Sequence, residues 1–341
     1  MSGDLGAEVV VRAAAAALKR YRNIELVLVG DESELSGYVR DIIGGDARVR
    51  IHHASQVVEM SEPPADALRK KKDSSMRVAI DLVKTGDVDA CVSAGNTGAL
   101  MATARFVLKM LPGIDRPAII TELPAIGGSI HMLDLGASAE ATSERLFQYA
   151  VMGSIVAADI VGIEEPRIAL LNIGAEDTKG HDTVKEAAAM LTKSTLNYVG
   201  FIEGSELFRG KADVVVTDGF TGNVALKTIE GTVGICVHYL KREFKRNWFS
   251  KLQALLARNV LKNLAVQMDS RKYNGATLVG LNGIVIKSHG SADAYAFEHA
   301  IETAVVEVRN QLPQQIGRLL ETESARRTRA SLAQGGTCPN G

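Results

Sequence analysis

Two hydrophobic periods alternate along the chain. Short, continuous Val/Ile/Leu runs occur at "IELVLVG" (24–30), "VRIHHAS" (49–55), "VDACVSAG" (88–95), "PAIITELP" (117–124), "HMLDLGAS" (131–138), "RIALLNIG" (167–174), "YVGFIEG" (198–204), "ADVVVTDG" (212–219) and "NGIVIKSHG" (282–290). Ala-rich stretches with helical spacing separate many of them, at 8–20, 76–86, 98–110, 140–159, 183–193, 222–240 and 293–311. Strands without polar alternation are strands covered on both faces. Their regular exchange with helices predicts an α/β fold with a largely parallel sheet between helical layers.

Most of these runs end in Gly plus a polar residue. In open parallel sheets ligands bind beyond the carboxyl ends of the strands, so the polar ends are expected to converge on one cleft. The most pointed junction is Ser93-Ala94-Gly95-Asn96-Thr97-Gly98, where a buried strand opens onto a helix. Backbone N–H groups and a helix dipole meet there, which suits an anion. The turn lacks the lysine of a Walker A loop and the third glycine of a GxGxxG fingerprint. It therefore reads as a neutral cradle for a small inorganic anion, built from Ser93, Gly95, Asn96 and Thr97, with Thr97 alternatively a plain N-cap.

Other junctions add candidates. "EPPADALRKKKDSSM" (62–76) sets Lys72 just before Ser74 and Ser75, one or the other of which is expected to cap the following helix, beside donors suited to phosphate oxygens. "HMLDLGAS" supplies Asp134, "LNIGAEDTKG" (171–180) supplies Asn172, Glu176 and Lys179, and "VVTDGFTGNVALK" (215–227) supplies Asp218 and Asn223. Of seven histidines, His289 is the one on a Gly-rich junction, after Lys287 and Ser288. No GxSxG elbow is present and Cys91 sits mid-strand, so a protein nucleophile is not expected. Bound phosphate attacking directly is the simpler chemistry.

Charge changes the picture in one place. Across 341 residues the formal net charge is −1, with 46% apolar and 23% charged residues, so no global field argues for nucleic acid. Within 238–269, however, Lys241, Arg242, Lys245, Arg246, Lys251, Arg258 and Lys262 face one early carboxylate, Glu243, and the single Trp is interleaved with Leu at helical steps. This predicts inserted basic amphipathic helices (238–270) with an acidic partner, either a protein or an anionic membrane surface. Three cysteines show no metal spacing, and neither a signal peptide nor an apolar run near 18 residues is evident. The expectation is a cytoplasmic protein of one catalytic domain (1–322) with a disordered tail (323–341), using neither metal nor cofactor.

The strings at 62–76, 93–100, 171–180, 212–227 and 281–291 together resemble the acyl-acyl-carrier-protein:phosphate acyltransferases, the PlsX family, in order over residues 1 to about 311. The resemblance implies a Rossmann-like α/β/α homodimer similar to the isocitrate dehydrogenase and phosphotransacetylase group. It implies transfer of a long acyl chain from acyl carrier protein to inorganic phosphate, feeding phospholipid synthesis. In that reading Lys72, Asn96, Lys179, Asp218 and His289 are the expected catalytic residues. Ser74, Ser75, Ser93, Gly95, Asn96 and Thr97 hold phosphate. Asp134, Asn172, Glu176 and Asn223 line the cleft, and the basic helices grip the carrier, with possible peripheral membrane contact. Two departures stand out. Family members usually begin with a strand leading into Asp-Ala-Met-Gly-Gly-Asp, whereas this chain begins "MSGDLG", and Ser138 stands where Asn is usual. An absent interior strand is expected to leave two unpaired edges and a hole, unless the true start lies upstream or a substitute strand is supplied. The alternatives are a short-chain phosphate acyltransferase using coenzyme A thioesters and a non-catalytic docking scaffold.

Overall fold

The computed structural model describes residues 3–158, 162–267 and 269–335. Eight strands form one sheet: β3 (Ala90–Ser93), β10 (Ile284–Lys287), β9 (Ala276–Val279), β4 (Ala118–Ala125), β5 (Gly128–Leu133), β8 (Val214–Val216), β6 (Ile168–Leu171) and β7 (Tyr198–Ile202), in that spatial order. β1 (Leu26–Gly30) and β2 (Val49–His53) form a separate parallel pair. The expected α/β fold with a mostly parallel sheet is therefore present.

Strand direction decides where chemistry can gather. β3 and β10 are parallel, with Lys287 opposite Ser93. β9 runs against both β10 and β4, and β4 turns back into β5 as a hairpin with Ala125 opposite Gly128. From β5 onward β8, β6 and β7 are mutually parallel. The hairpin reverses the sense of the sheet, so the carboxyl ends of β3 and β10 lie at one end and those of β5, β8, β6 and β7 at the other. The expectation of a single mouth for all the polar strand ends is corrected here. Hydrophobic periodicity reports burial and does not report strand direction, so a hairpin between two buried strands is invisible to it.

Two apolar layers hold the sheet. α6 (Ser143–Val156) is buried almost all round, because it lies between the sheet and an outer helix, α12 (Leu312–Gly335). Its Gly153 permits close approach, since a Cβ there would lie 2.6 Å from Val214 Cγ1. Each fully enclosed side chain such as Met152 or Leu133 contributes about 1.5–3 kcal/mol. α12 continues to Gly335, through the first part of the segment expected to be a tail; 336–341 lie outside the described residues. On the opposite face Ala225 and Leu226 pack over Ile119, Met132 and Val215. They belong to α8 (Gly219–Lys245), whose later turns leave the body and lead into α9 (Trp248–Leu256) and α10 (Arg258–Gln267). Along this arm Trp248 is 76% exposed and Leu256 81% exposed. Among the described residues no helix is long and apolar enough to cross a membrane.

The pair β1–β2 is joined to the main body through α1 (Gly6–Arg20), α4 (Ser75–Thr85) and α11 (Ala294–Arg309) rather than through the sheet. Between the free edge of β1 and the free edge of β3 lies a cavity of about 630 Å³. Among the described residues neither β1 nor β3 has a pairing partner on the side that faces this cavity.

Candidate active site

At the β3/β10 end, α5 (Thr97–Leu108) starts directly after the Ser93–Asn96 turn. Asn96, not Thr97, is its N-cap: Oδ1 accepts from Ala99 N at 3.0 Å. The other half of the amide is also committed, since Nδ2 donates to the carbonyls of Met60 and Glu62, both at 2.9 Å. Gly98 lets Pro64 close in, because a Cβ there would sit 2.9 Å from Pro64 Cγ. Asn96 therefore fastens the 59–64 loop over the helix start, which makes it a positioning group. Gly95 N donates to Ser93 Oγ at 3.2 Å.

Ser74 caps α4, accepting from Arg77 N and donating to Lys71 O at 2.8 Å, and it is buried. Ser75 lines the cavity together with Ser93 and Gly95, while Lys72 is exposed on the preceding turn. Beside them, Lys287 is only 9% exposed. Its ammonium donates to Ser288 O and, at 3.4 Å, to Ala94 O. Burial above all, against an opposing pull from Asp4 and with a smaller push from Lys227 on α8, lowers its pKa to about 8. His289 is exposed, and its Nδ1 accepts from Ser291 N at 3.2 Å. In the neutral ring that leaves the proton on Nε2. Asn274 fixes this turn by accepting from His289 N and donating to Ser288 Oγ.

The other candidates gather at the far end. Asp134 is fully buried and accepts four backbone N–H groups: Ile119, Gly136 and Ala137 on Oδ1 and Ser138 on Oδ2. Burial nevertheless outweighs those bonds and raises its pKa. The start of α8 presses on this turn. A Cβ on Gly222 would lie 1.9 Å from Asp134 O, and one on Gly219 2.3 Å from Ser138 O. Asp218 caps α8 through Thr221, and Asn223 lies against Gly136. Next door, after β6, Asn172 Nδ2 donates to Lys179 O at 3.1 Å and Lys179 pairs with Glu176 at 2.8 Å. That exposed pair lowers the Glu176 pKa and raises that of Lys179.

Ser74, Ser75, Ser93, Gly95, Asn96, Thr97 and His289 thus share one end, with Lys72 on the same turn as Ser74. Asp134, Asn172, Glu176, Lys179, Asp218 and Asn223 share the other. α8 links them, beginning at Asp218 and carrying Lys227 toward Lys287. Lys241, Arg242, Lys245, Arg246, Lys251 and Arg258 lie beyond both, on the arm. Lys287 is the residue that sequence reasoning passed over. Its signal was a lysine closing an all-apolar strand, "GIVIK", beside a Gly-rich turn.

The site thus belongs to a class: an α/β protein with a mostly parallel sheet and polar strand ends. Solved structures bear the same fold. A phosphotransacetylase from Streptococcus pyogenes superposes with a TM-score of 0.60 at 19% identity, covering 89% of this chain and 92% of that one. EutD phosphotransacetylase from Staphylococcus aureus gives 0.56 at 17%, covering 88% and 90%. A family model described as "Fatty acid synthesis protein" matches residues 1–315. Phosphate acyltransferase from Alkalilimnicola ehrlichii is 57% identical over 323 residues, 94% of either chain. That from Nitrosococcus oceani is 55% identical over 324 residues, 94% of this chain and 95% of its own. The chain belongs to this phosphate acyltransferase family, the PlsX family, and is an acyltransferase.

Proposed function

We propose that the enzyme moves a long acyl group from an acyl carrier protein thioester to inorganic phosphate, releasing acyl phosphate for phospholipid synthesis. One observation carries the location of the phosphate. Lys287 places a buried ammonium at the carboxyl end of β10, beside Ser93 and the start of α5, where its hydrogen-bond partners among the described residues are the carbonyls of Ala94 and Ser288. A buried cation without a bonded carboxylate is costly, and an anion seated next to it relieves that cost. The N–H groups at the head of α5 add to the attraction. Ser75 lines the adjoining cavity with Ser93, and Lys227 is near enough to act electrostatically on Lys287.

Phosphate held there attacks the thioester carbonyl carbon. A C–O bond forms, the C–S bond breaks, and the proton carried by hydrogen phosphate ends on the departing thiol. In this reading the exposed His289 hydrogen-bonds the leaving sulfur through Nε2–H. Thiolate is a good leaving group, so positioning and charge stabilisation supply most of the acceleration. The donor approaches along α8, past Asn172, Glu176, Lys179, Asp218 and Asn223. The basic arm grips the acidic carrier and brings the product to a membrane surface. A homodimer working in the cytoplasm completes the reading.

A second reading is favoured by the phosphotransacetylase-like fold: a short-chain donor on coenzyme A. Competition between long-chain acyl-acyl carrier protein and acetyl-coenzyme A for labelled phosphate separates the two. Preference for the carrier-borne donor supports the proposal, and preference for acetyl-coenzyme A overturns it.

A further inference from the structure

The basic arm has two roots, and both lead to the Lys287–His289 end. The outgoing root is α8, which brings Lys227 near enough to act electrostatically on Lys287. The returning root follows α10. There Asp269 caps a short turn, Ser270–Tyr273, which runs through Asn274 into β9. Residues 269–274 form a strap. Within it Asp269 and Arg271 make a two-pronged ion pair, Nε to Oδ1 at 2.8 Å and Nη2 to Oδ2 at 2.7 Å. The third prong of Arg271, Nη1, donates to Asp293 Oδ2 at 2.8 Å, and the guanidinium lies 5.0 Å from the centre of the Tyr295 ring.

The strap grips both ends of one turn. Between Ser288 and Asp293 the chain passes from the end of β10 to the start of α11. At the near end Asn274 accepts from His289 N at 2.9 Å and donates to Ser288 Oγ at 2.8 Å; its amide nitrogen also donates to Ala296 O at 2.7 Å. At the far end Arg271 holds Asp293, whose other oxygen caps α11 by accepting from Ala296 N at 2.9 Å. Ser288 is buried, and its carbonyl accepts from the Lys287 ammonium. A displacement of the strap therefore reaches the turn that carries His289 and holds Lys287. Stability does not account for the clamp. The side chains of Arg271 and Asp293 are 50% and 46% exposed, and ion pairs so open to water contribute little.

We propose that the 269–274 strap couples the arm to the site: a carrier protein gripping the arm shifts the strap, and the strap sets the Lys287–His289 turn for transfer. Arg271 and Asn274 are positioning residues in this scheme, acting through Asp293, Ser288 and His289. The coupling rests on the reading that the arm grips the acidic carrier. An acidic surface drawn to Lys241, Arg242, Lys245 and Arg246 loads the arm, and the load leaves along its two roots. On the returning side one residue separates α10 from Asp269 in the sequence, so the chain has little slack to absorb it. A shift of about 1 Å among reacting groups is enough to change a rate by as much as about 100-fold.

The test uses a long-chain acyl thioester of pantetheine, a donor with no acidic surface, and adds acyl carrier protein in its apo form, which loads the arm without bringing a thioester of its own. With apo-carrier present the parent is expected to turn over this donor about fivefold faster, the lower end of coupling between two sites. Arg271→Met and Asp269→Asn are expected to bind apo-carrier with the parent's Kd, to keep its basal kcat within about twofold and to show no stimulation. Arg271→Lys keeps the charge but cannot bridge both carboxylates, and it is expected to recover part of the stimulation. In a second measurement, amide exchange at His289 is expected to slow when apo-carrier is added to the parent and to stay unchanged in Arg271→Met. Stimulation of the variants equal to the parent's overturns the coupling and leaves the carrier reading standing. So does a loss of basal and stimulated rates in equal proportion, or a parent that binds apo-carrier without being stimulated. A parent that does not bind apo-carrier overturns the carrier reading, and the coupling with it.

Discussion

Lys287 and Ser93 stand in register on adjacent parallel strands, and the lysine's ammonium reaches past Ser93 to the carbonyl of Ala94. That geometry puts a buried positive charge at the mouth of the α5 turn. Lys287→Met is expected to lower kcat/KM for phosphate by about 100-fold, the size of effect seen when one charge-stabilising donor is lost. Its fold should be unharmed or firmer, because a poorly compensated buried charge has gone. Steady-state kinetics and urea unfolding check both halves.

The same residue sets a pH dependence. Its pKa is about 8 in the fold against 10.5 for a free lysine. Between those values the unfolded chain binds more protons than the folded one, so stability rises with pH across the window. Below pH 8 the cost of burying the ammonium is fully present. The stability advantage of Lys287→Met over the parent should therefore shrink from pH 8 to pH 10, while parental activity falls as the ammonium deprotonates. Unfolding free energies and rates measured at pH 7, 8, 9 and 10 check this.

Asn96 performs two jobs that substitution can separate. Asn96→Asp keeps an oxygen for the Ala99 N–H but removes the donors to Met60 and Glu62. Asn96→Ala removes both. The alanine variant is expected to lose about 1–3 kcal/mol of stability, the aspartate variant less, and both to raise the KM for phosphate as the 59–64 loop loosens. Equal stability of the two variants would mean that the cap contributes nothing.

The Asp134 turn and the start of α8 leave no room between them. Gly222→Ala puts a Cβ where the Asp134 carbonyl lies, 1.9 Å away, so the helix must shift. The expected loss is about 2–4 kcal/mol, with activity falling as Asp218 and Asn223 move. Gly231→Ala, at an open position further along α8, is the matched control and should be neutral or slightly stabilising. Thermal unfolding of the pair reads the difference.

Much of the fold was legible because its elements are buried on both faces. The run "IELVLVG" became β1 (Leu26–Gly30), and the stretch 98–110 became α5 (Thr97–Leu108). β9 (Ala276–Val279) escaped notice because "ATLV" is four residues long and follows a polar turn. α12 was obscured by its polar outer face, although Leu312, Ile316 and Leu320 do pack inward. For the site, the glycine-flanked junctions were recognisable, but which of them meet depends on strand direction. The β4–β5 hairpin sets that direction. Asn96 was legible as a polar residue at a helix start, and its engagement with the 59–62 loop was not, since the partners are backbone carbonyls more than thirty residues away.

The central claim is that orthophosphate, seated beside Lys287, is the acyl acceptor. The most direct measurement supplies long-chain acyl-acyl carrier protein and ³²P-phosphate to the enzyme and to Lys287→Met in parallel, and follows label into acyl phosphate. The account predicts labelled acyl phosphate from the parent and about one hundredth of that rate from the variant. Equal rates from both, or carrier thiol released without label entering acyl phosphate, would contradict it.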